Sequence, residues 1–314
     1  MKRLFLVIAG LILLSNLANA QDAVRDNAVK AINKAAIRAS NIVEDTTTKD
    51  KYWYIKNNLT FNTEQNMFEN WEAGGVSSFA FSTFYKGFFN YSKKKVKWDN
   101  SVELGYGKMR QDNNGKGIFD KGNIFRKNED KMELNSIVGY KAFSNWNYSA
   151  LINFKSQFDE GFKNDTVLVS AILSPAYLTT SVGLEYKPRP YLSVLISPLT
   201  GRTTIVGDNR LAKKGNFGLE QDGHCDFAFG SYIKIFFEKE VFTNINILSK
   251  LEFFNDYDKV PFLKNTDINF ETYITLKVNK YFSAFINIQI VYDYDFSTDL
   301  QFKERIGLSV PLNF

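Results

Sequence analysis

Residues 302–314 read FKERIGLSVPLNF. Phe302, Ile306, Leu308, Val310, Leu312 and Phe314 share one parity, while Lys303, Arg305, Gly307, Ser309 and Asn313 share the other. Successive side chains of a strand point to opposite faces, so this segment has one apolar face and one polar or small face. The edge strand of a soluble sandwich also alternates in this way. So does a strand with lipid on one side and a polar lumen on the other, and such a strand has reason to end on an aromatic residue. The remaining sequence decides between the two.

Eleven earlier segments repeat the rhythm. The first, from Trp53, sets Ile55, Leu59 and Phe61 against polar neighbours. The second, about Val76 to Tyr91, has Phe79, Phe81 and Phe89 on one parity but Phe84 and Phe88 on the other, so its faces are poorly resolved. The third and fourth set Trp98, Val102, Leu104 and Tyr106, then Leu134, Val138 and Tyr140, against Glu103 and Glu133. The fifth and sixth set Tyr148, Ile152 and Phe154, then Leu178, Val182 and Leu184, against Lys155, Glu185 and Lys187. The seventh, near Tyr191 to Pro198, carries Leu192, Val194 and Ile196. The eighth and ninth oppose Phe229, Ile233, Ile235, Leu251 and Phe253 to Lys234, Lys250 and Glu252. The tenth and eleventh set Ile268, Phe270, Ile274, Ile286, Ile288 and Ile290 against Glu271, Lys277, Asn287 and Gln289.

The connections alternate in length. Ser92–Lys95, Phe143–Asn145, Pro188–Arg189, Glu238–Glu240 and Asn279–Lys280 are short, and the six connections between them are longer. These are Asn66–Gly75, Arg110–Glu129, Asp159–Leu173, Leu199–Cys225, Asn255–Thr266 and Asp293–Leu300. A transmembrane barrel has short turns at one end and long loops at the other; a sandwich has no such need. Trp53, Trp98, Trp146, Tyr140, Tyr148, Tyr186, Tyr191 and Tyr281 lie beside the short turns, as an interfacial girdle requires. The fold expected is a transmembrane antiparallel up-and-down β-barrel of about twelve strands. The terminal strand also resembles the signal by which outer-membrane barrels are recognised for insertion, with Leu312 and Phe314 in the decisive places and Ser309 where that signal carries glycine.

The other end is a targeting segment. Lys2 and Arg3 precede the apolar run Leu4–Leu14 and the small-x-small triplet Ala18-Asn19-Ala20. Cleavage after Ala20 leaves residues 1–20 as a signal peptide and, by loss of Lys2 and Arg3, lowers the formal charge from +5 to +3. Residues 21–51 read as a periplasmic extension: a helix over Asp22–Val43, with Val24, Ala28, Ile32, Ala35 and Ala36 at helical spacing, then a polar linker. Residues 52–314 form the barrel, with both termini in the periplasm. No segment is long and apolar enough for a membrane helix. The lone Cys225 excludes a disulfide scaffold and reads as a small hydrophobe. The modest charge does not indicate nucleic acid, and no nucleic-acid partner is expected. Outer-membrane lipids and the barrel-assembly machinery are the partners expected; no cofactor is implied.

The polar parity collects charge of both signs: Glu103, Glu133, Lys155, Glu185, Lys234, Lys250, Glu252, Glu271, Lys277 and Arg305 are the lumen-facing candidates. They fit a water-filled lumen or one laced shut by ion pairs. His224 is the only histidine. Beside Ser231 it raises an alternative, a lipid hydrolase with a general base near a hydroxyl, but the flanking Ser or Asn pattern of such enzymes is missing. Asp293, Asp295, Ser297, Asp299 and Glu304 echo calcium-loop spacing, yet Thr298 stands where glycine is needed and the flanks are strands. That stretch reads as a carboxylate-bearing outer loop, and no metal site is assigned.

Five motifs carry a family resemblance: Trp71-Glu72-Ala73-Gly74-Gly75, Leu173-Ser174-Pro175-Ala176-Tyr177, Ile196-Ser197-Pro198-Leu199, Tyr292-Asp293-Tyr294-Asp295 and Lys303-Glu304-Arg305-Ile306-Gly307. From about Trp53 onward the chain resembles the outer-membrane proteins of the Bacteroidetes grouped as domain of unknown function 3078. That resemblance implies an outer-membrane location and supplies no activity. A non-enzymatic barrel is therefore expected, either a narrow channel or a structural and surface-interaction protein.

Overall fold

The computed structural model describes residues 52–68, 75–163, 166–215, 217–259, 266–293, 295 and 297–313. The expected signal segment, helix and linker lie outside the described residues, as does Phe314.

Twelve strands close into an antiparallel barrel. They are β1 (Trp53–Asn66), β2 (Ser78–Lys93), β3 (Val96–Gln111), β4 (Phe125–Phe143), β5 (Trp146–Ser156), β8 (Ala176–Arg189), β9 (Leu192–Ile205), β10 (Cys225–Phe242), β11 (Ile245–Asp256), β12 (Thr266–Lys277), β13 (Ser283–Asp293) and β14 (Ser297–Asn313). Between β5 and β8 a small hairpin, β6 (Gly161–Lys163) with β7 (Val167–Ser170), stands apart from the wall. Each strand pairs with its neighbour in the sequence of barrel strands, and β1 pairs with β14 to close the ring.

The wall is apolar outside and polar inside. On β14, Phe302 is 62% exposed and Ile306 60%, while Arg305 between them is 7% exposed. Around the ring the buried residues include Asn62, Ser82, Glu133, Asn153, Glu252 and Asn287, and the exposed ones include Phe81, Leu134, Ile152, Val182 and Ile196. Two packed sheets would bury the second set and wet the first. This arrangement suits a lipid exterior.

At one end the connections are 94–95, 144–145, 190–191, 243–244 and 278–282. Lys94, Ser144 and Asn244 take positive φ there, as two-residue hairpins demand. Two expected turns lie inside strands: Pro188–Arg189 ends β8, and Glu238–Glu240 belongs to β10, whose register shifts just before its real turn. At the other end the connections are 67–77, 112–124, 157–175, 206–224, 257–265 and 294–296. The last corrects the expected loop Asp293–Leu300, because Asp293 pairs with Ser297 and the hairpin closes almost at once.

β9 does not stop at Pro198. Both neighbouring ladders shift register there: Gly230 pairs with Thr200 but Tyr232 with Ser197, and Val182 pairs with Leu199 but Leu184 with Ile196. Pro198 sits in a bulge, where its missing N–H costs no ladder bond. The extra residue reverses the phase of β9. Leu195 and Ser197 are buried below it, Thr200 and Thr204 above it. Gly183 faces the bulge, and a Cβ there would lie 2.2 Å from the Ile196 carbonyl oxygen.

The girdle is continuous in part. Trp53 contacts Tyr91 (ring centroids 5.3 Å) and Trp98 (5.8 Å), and Trp146 contacts Tyr186 (4.7 Å). Lysines of the short-turn end lie over these rings or their neighbours: Lys93 is 4.4 Å from Tyr52, Lys239 4.7 Å from Tyr191 and Lys280 4.7 Å from Tyr281. Aromatic bodies with ammonium groups beside them match a headgroup layer.

Two long connections fold together. Leu168 and Ala171 from 157–175 join Val206, Leu211, Ala212, Phe217 and Leu219 from 206–224 in a buried apolar cluster. A single helical turn, α1 (Asn209–Ala212), carries two of these residues. The Gly207 amide donates to the Leu173 carbonyl at 2.9 Å, and Lys214 Nζ donates to the Leu168 carbonyl at 3.1 Å. At Gly218 (φ +79°) a Cβ would come within 2.9 Å of Asp295 Cβ, so the 206–224 connection lies against the β13–β14 turn. Strands β11 and β12 separate β10 from that turn, so this connection reaches over the barrel mouth.

Candidate functional site

The interior is a network of charged side chains that crosses the lumen. Lys250 Nζ donates to Glu103 Oε1 at 2.6 Å and lies 3.4 Å from Glu133 Oε2. Lys131 Nζ meets Glu271 Oε2 at 2.7 Å, Glu103 Oε2 at 3.0 Å and Glu133 Oε2 at 3.5 Å. Lys86 adds a third cation to Glu103 at 3.1 Å. The strand pairs β11/β3 and β4/β12 each stand opposite one another in the ring.

The network continues on the next strands. Lys155 pairs with Glu252; Lys234 lies 3.2 Å from Glu252 Oε1 and donates to Asn135 Oδ1 at 2.9 Å. Tyr232 Oη donates to Glu252 Oε1 at 2.8 Å. Burying a lone charge is expensive, so nearly every lumen charge is met by an opposite charge or an amide. Towards the short-turn end, Glu185 Oε1 accepts from Lys187 (3.0 Å) and from Ser193 Oγ (2.8 Å), and Lys187 also reaches Asp99 Oδ2 at 2.7 Å.

Arg305 anchors the layer nearer the loops. Its Nη1 donates to Glu129 Oε2 at 2.9 Å, and its Nη2 donates to Glu64 Oε1 at 2.7 Å and Ser82 Oγ at 2.8 Å. Lys303 joins it on Glu129 at 2.8 Å. The guanidinium sits 5.6 Å from the Phe84 ring centroid and 5.7 Å from that of Phe285. Phe84 therefore faces inward to meet a cation, which is why β2 shows apolar residues on both parities. A second interior cluster is apolar: Leu151, Leu195, Ala228, Tyr232 and Phe254.

Nine of the ten predicted lumen residues enter these networks: Glu103, Glu133, Lys155, Glu185, Lys234, Lys250, Glu252, Glu271 and Arg305. Lys277 ends β12 beside the short turns and forms no ion pair among the described residues. Sequence reading missed Lys86, Glu129, Lys131 and Glu64. Glu129 and Lys131 have the parity of Glu133, but Glu129 falls in the expected connection Arg110–Glu129, with Lys131 just past it; β4 starts at Phe125. Lys86 was hidden by the unresolved faces of β2. Of the insertion signal, Leu312 is exposed and Phe314 lies outside the described residues.

At the mouth, oxygens of Asp267, Asp293 and Asp295 lie within 4.8 Å of one another. Arg202 Nη1 meets Asp267 Oδ2 at 2.5 Å, and Lys259 pairs with Asp295, so protein cations already engage two of the three carboxylates. The calcium-like spacing is not assembled, because Glu304 is exposed on the outer parity of β14. His224 Nδ1 lies 2.7 Å from the Val206 carbonyl oxygen and has no hydroxyl partner among the described residues. Cys225, expected to be a small buried hydrophobe, is exposed at the start of β10, since the strand emerges there from the loop.

Residues 63–162 match the model of a family described as "Protein of unknown function (DUF3078)". The matched stretch covers about a third of the chain, narrower than the span from Trp53 suggested by the motifs, and contains only the first of them. The matched stretch supplies Lys86, Glu103, Glu129, Lys131, Glu133 and Lys155 to the interior. No curated protein sequence matches the chain. Among solved structures, the translocator domain of the autotransporter NalP from Neisseria meningitidis is similar over 91% of this chain and 97% of its own, with 8% identity and a TM-score of 0.36. An outer-membrane channel from Pseudomonas putida F1 is similar over 85% and 100%, with 8% identity and a TM-score of 0.38. Outer-membrane phospholipase A from Escherichia coli is similar over 87% and 96%, with 11% identity and a TM-score of 0.38.

Proposed function

We propose that this chain is a non-enzymatic outer-membrane barrel with a closed lumen, whose long connections form a folded surface for interaction outside the cell. One observation carries the closed-lumen reading: Lys250–Glu103 at 2.6 Å and Lys131–Glu271 at 2.7 Å tie opposite walls together. An ion entering the barrel meets ammonium and carboxylate groups already paired across its path. The 206–224 connection over the mouth supports the same reading. The apolar exterior and the aromatic band support membrane residence, and the secretory segment supports export. His224, hydrogen-bonded to a carbonyl and with no hydroxyl partner among the described residues, gives the hydrolase alternative no assembled nucleophile.

Planar-bilayer recording tests the proposal. Reconstituted protein is expected to insert without conductance steps; steady unitary steps would overturn closure and restore the narrow-channel reading.

A further inference from the structure

The closing seam between β1 and β14 is unlike the rest of the wall. Among the described residues it has six register pairs, Asn58↔Asn313 to Thr63↔Leu308, whereas every other neighbouring pair in the ring has ten to fifteen. At the short-turn end β1 runs past Asn313, where the described part of β14 ends; at the loop end the ladder stops although both strands continue. Glu64, Gln65 and Asn66 still pair with Ala80, Phe79 and Ser78 of β2, and β14 runs on to Ser297 while pairing with β13.

Beyond Leu308 a side chain takes over. Arg305 Nη2 on β14 donates to Glu64 Oε1 on β1 at 2.7 Å, and the same guanidinium reaches Ser82 on β2 and Glu129 on β4. Gly307 lets the strands approach at this point, since a Cβ there would lie 2.8 Å from Glu64 Cγ and 2.9 Å from the Thr63 carbonyl oxygen. The seam is also short of hydrogen bonds. Arg305 Nε and Asn62 Oδ1 are buried without a partner among the described residues, and Asn62 pairs in register with Ser309 at the seam. A wall in lipid normally satisfies its backbone groups through an unbroken ladder, so a stretch held by one side chain is the wall's weakest line.

We propose that the β1–β14 seam is a lateral opening between the barrel interior and the bilayer, latched by Arg305 on Glu64. Parting the strands above Leu308 breaks one charge-assisted clasp and leaves the six pairs below it intact, whereas parting the neighbouring β1–β2 pair over Glu64–Asn66 breaks ladder pairs. The opening leads from lipid to the Glu64, Ser82 and Glu129 layer.

Distance measurement by paired spin labels on the full chain in proteoliposomes tests this, in a Cys225→Ser background. Labels at Gln65 and Glu304 span the seam; labels at Ile152 and Thr180 span β5–β8 as a control. Arg305→Ala is expected to raise the separated population at the seam on the order of tenfold, as loss of one charge-assisted hydrogen bond gives, with the control distance unchanged. Glu64→Ala, which spares the Arg305–Glu129 pair, is expected to act in the same direction and serves if Arg305→Ala does not insert. No change at the seam in the variant that inserts, or an equal change at the control, overturns the latch.

Discussion

Lys250 on β11 and Glu103 on β3 are 2.6 Å apart, and their strands stand six places from each other whichever way the ring is followed. The barrel is thus braced across its diameter as well as along its wall. Removing one partner of a buried pair leaves the other charge uncompensated, at about 3–5 kcal/mol. Glu103 keeps Lys131 at 3.0 Å and Lys86 at 3.1 Å, which places Lys250→Met near the lower end of that range. Urea unfolding followed by the shift of the folded band on gels is expected to show a loss of about 3 kcal/mol. The same change in a Glu103→Gln background is expected to cost about 1 kcal/mol less, because the two sites share one network.

Gly183→Ala probes the bulge at Pro198. The added methyl meets backbone, not a flexible side-chain end, at 2.2 Å from the Ile196 oxygen. Strand β9 must shift, and overpacking of this kind costs about 1–3 kcal/mol. The same unfolding assay reads it. Gly139→Ala is the comparison, since its nearest neighbour lies at 3.4 Å and is the Ser149 hydroxyl; its midpoint is expected to stay close to that of the wild type.

The folded loop pair responds to acid. The side chain of Arg210 donates to Asp208, and with the Arg210 backbone amide it lowers the Asp208 carboxyl from the usual carboxylate range to about 2. A carboxylate depressed in the folded state contributes stability above its ordinary pKa and loses it as pH falls through the lowered one. The contribution of Asp208 to α1 is therefore expected to hold from neutral pH to about 4 and to vanish between about 4 and 2. Hydrogen exchange of peptides spanning 208–215, corrected for intrinsic rates, is expected to show that loss. Asp208→Asn is expected to remove the dependence.

Cys225 offers a direct test of orientation. It is the only cysteine, and it is exposed at the loop end of β10. If the long connections face outward, a membrane-impermeant maleimide added to intact cells labels it, and Cys225→Ser abolishes the signal. Labelling that appears only after the outer membrane is broken would reverse the proposed topology.

The sequence made the wall legible because alternation is written locally. β12 reads correctly from Ile268, Phe270 and Ile274 against Asn269 and Glu271 alone. The interior was harder, because its cations select aromatic partners. Phe84 looks lipid-facing by composition, yet it lies under Arg305, 221 positions later in the sequence. Pro198 was misleading for another reason: proline is disfavoured inside a strand, and only the two neighbouring strands reveal that this one fills a bulge. The pairing of Lys250 with Glu103 has no local signature at all. Parity says that both point inward, but only ring closure says that they meet.

The apolar cluster of Leu168, Val206, Leu211, Phe217 and Leu219 gives the loops a shape that does not depend on the membrane beneath them. Residues on the outside of that body can change freely while these few positions hold its form. A display peptide grafted onto its exposed rim would be carried on a rigid pedestal.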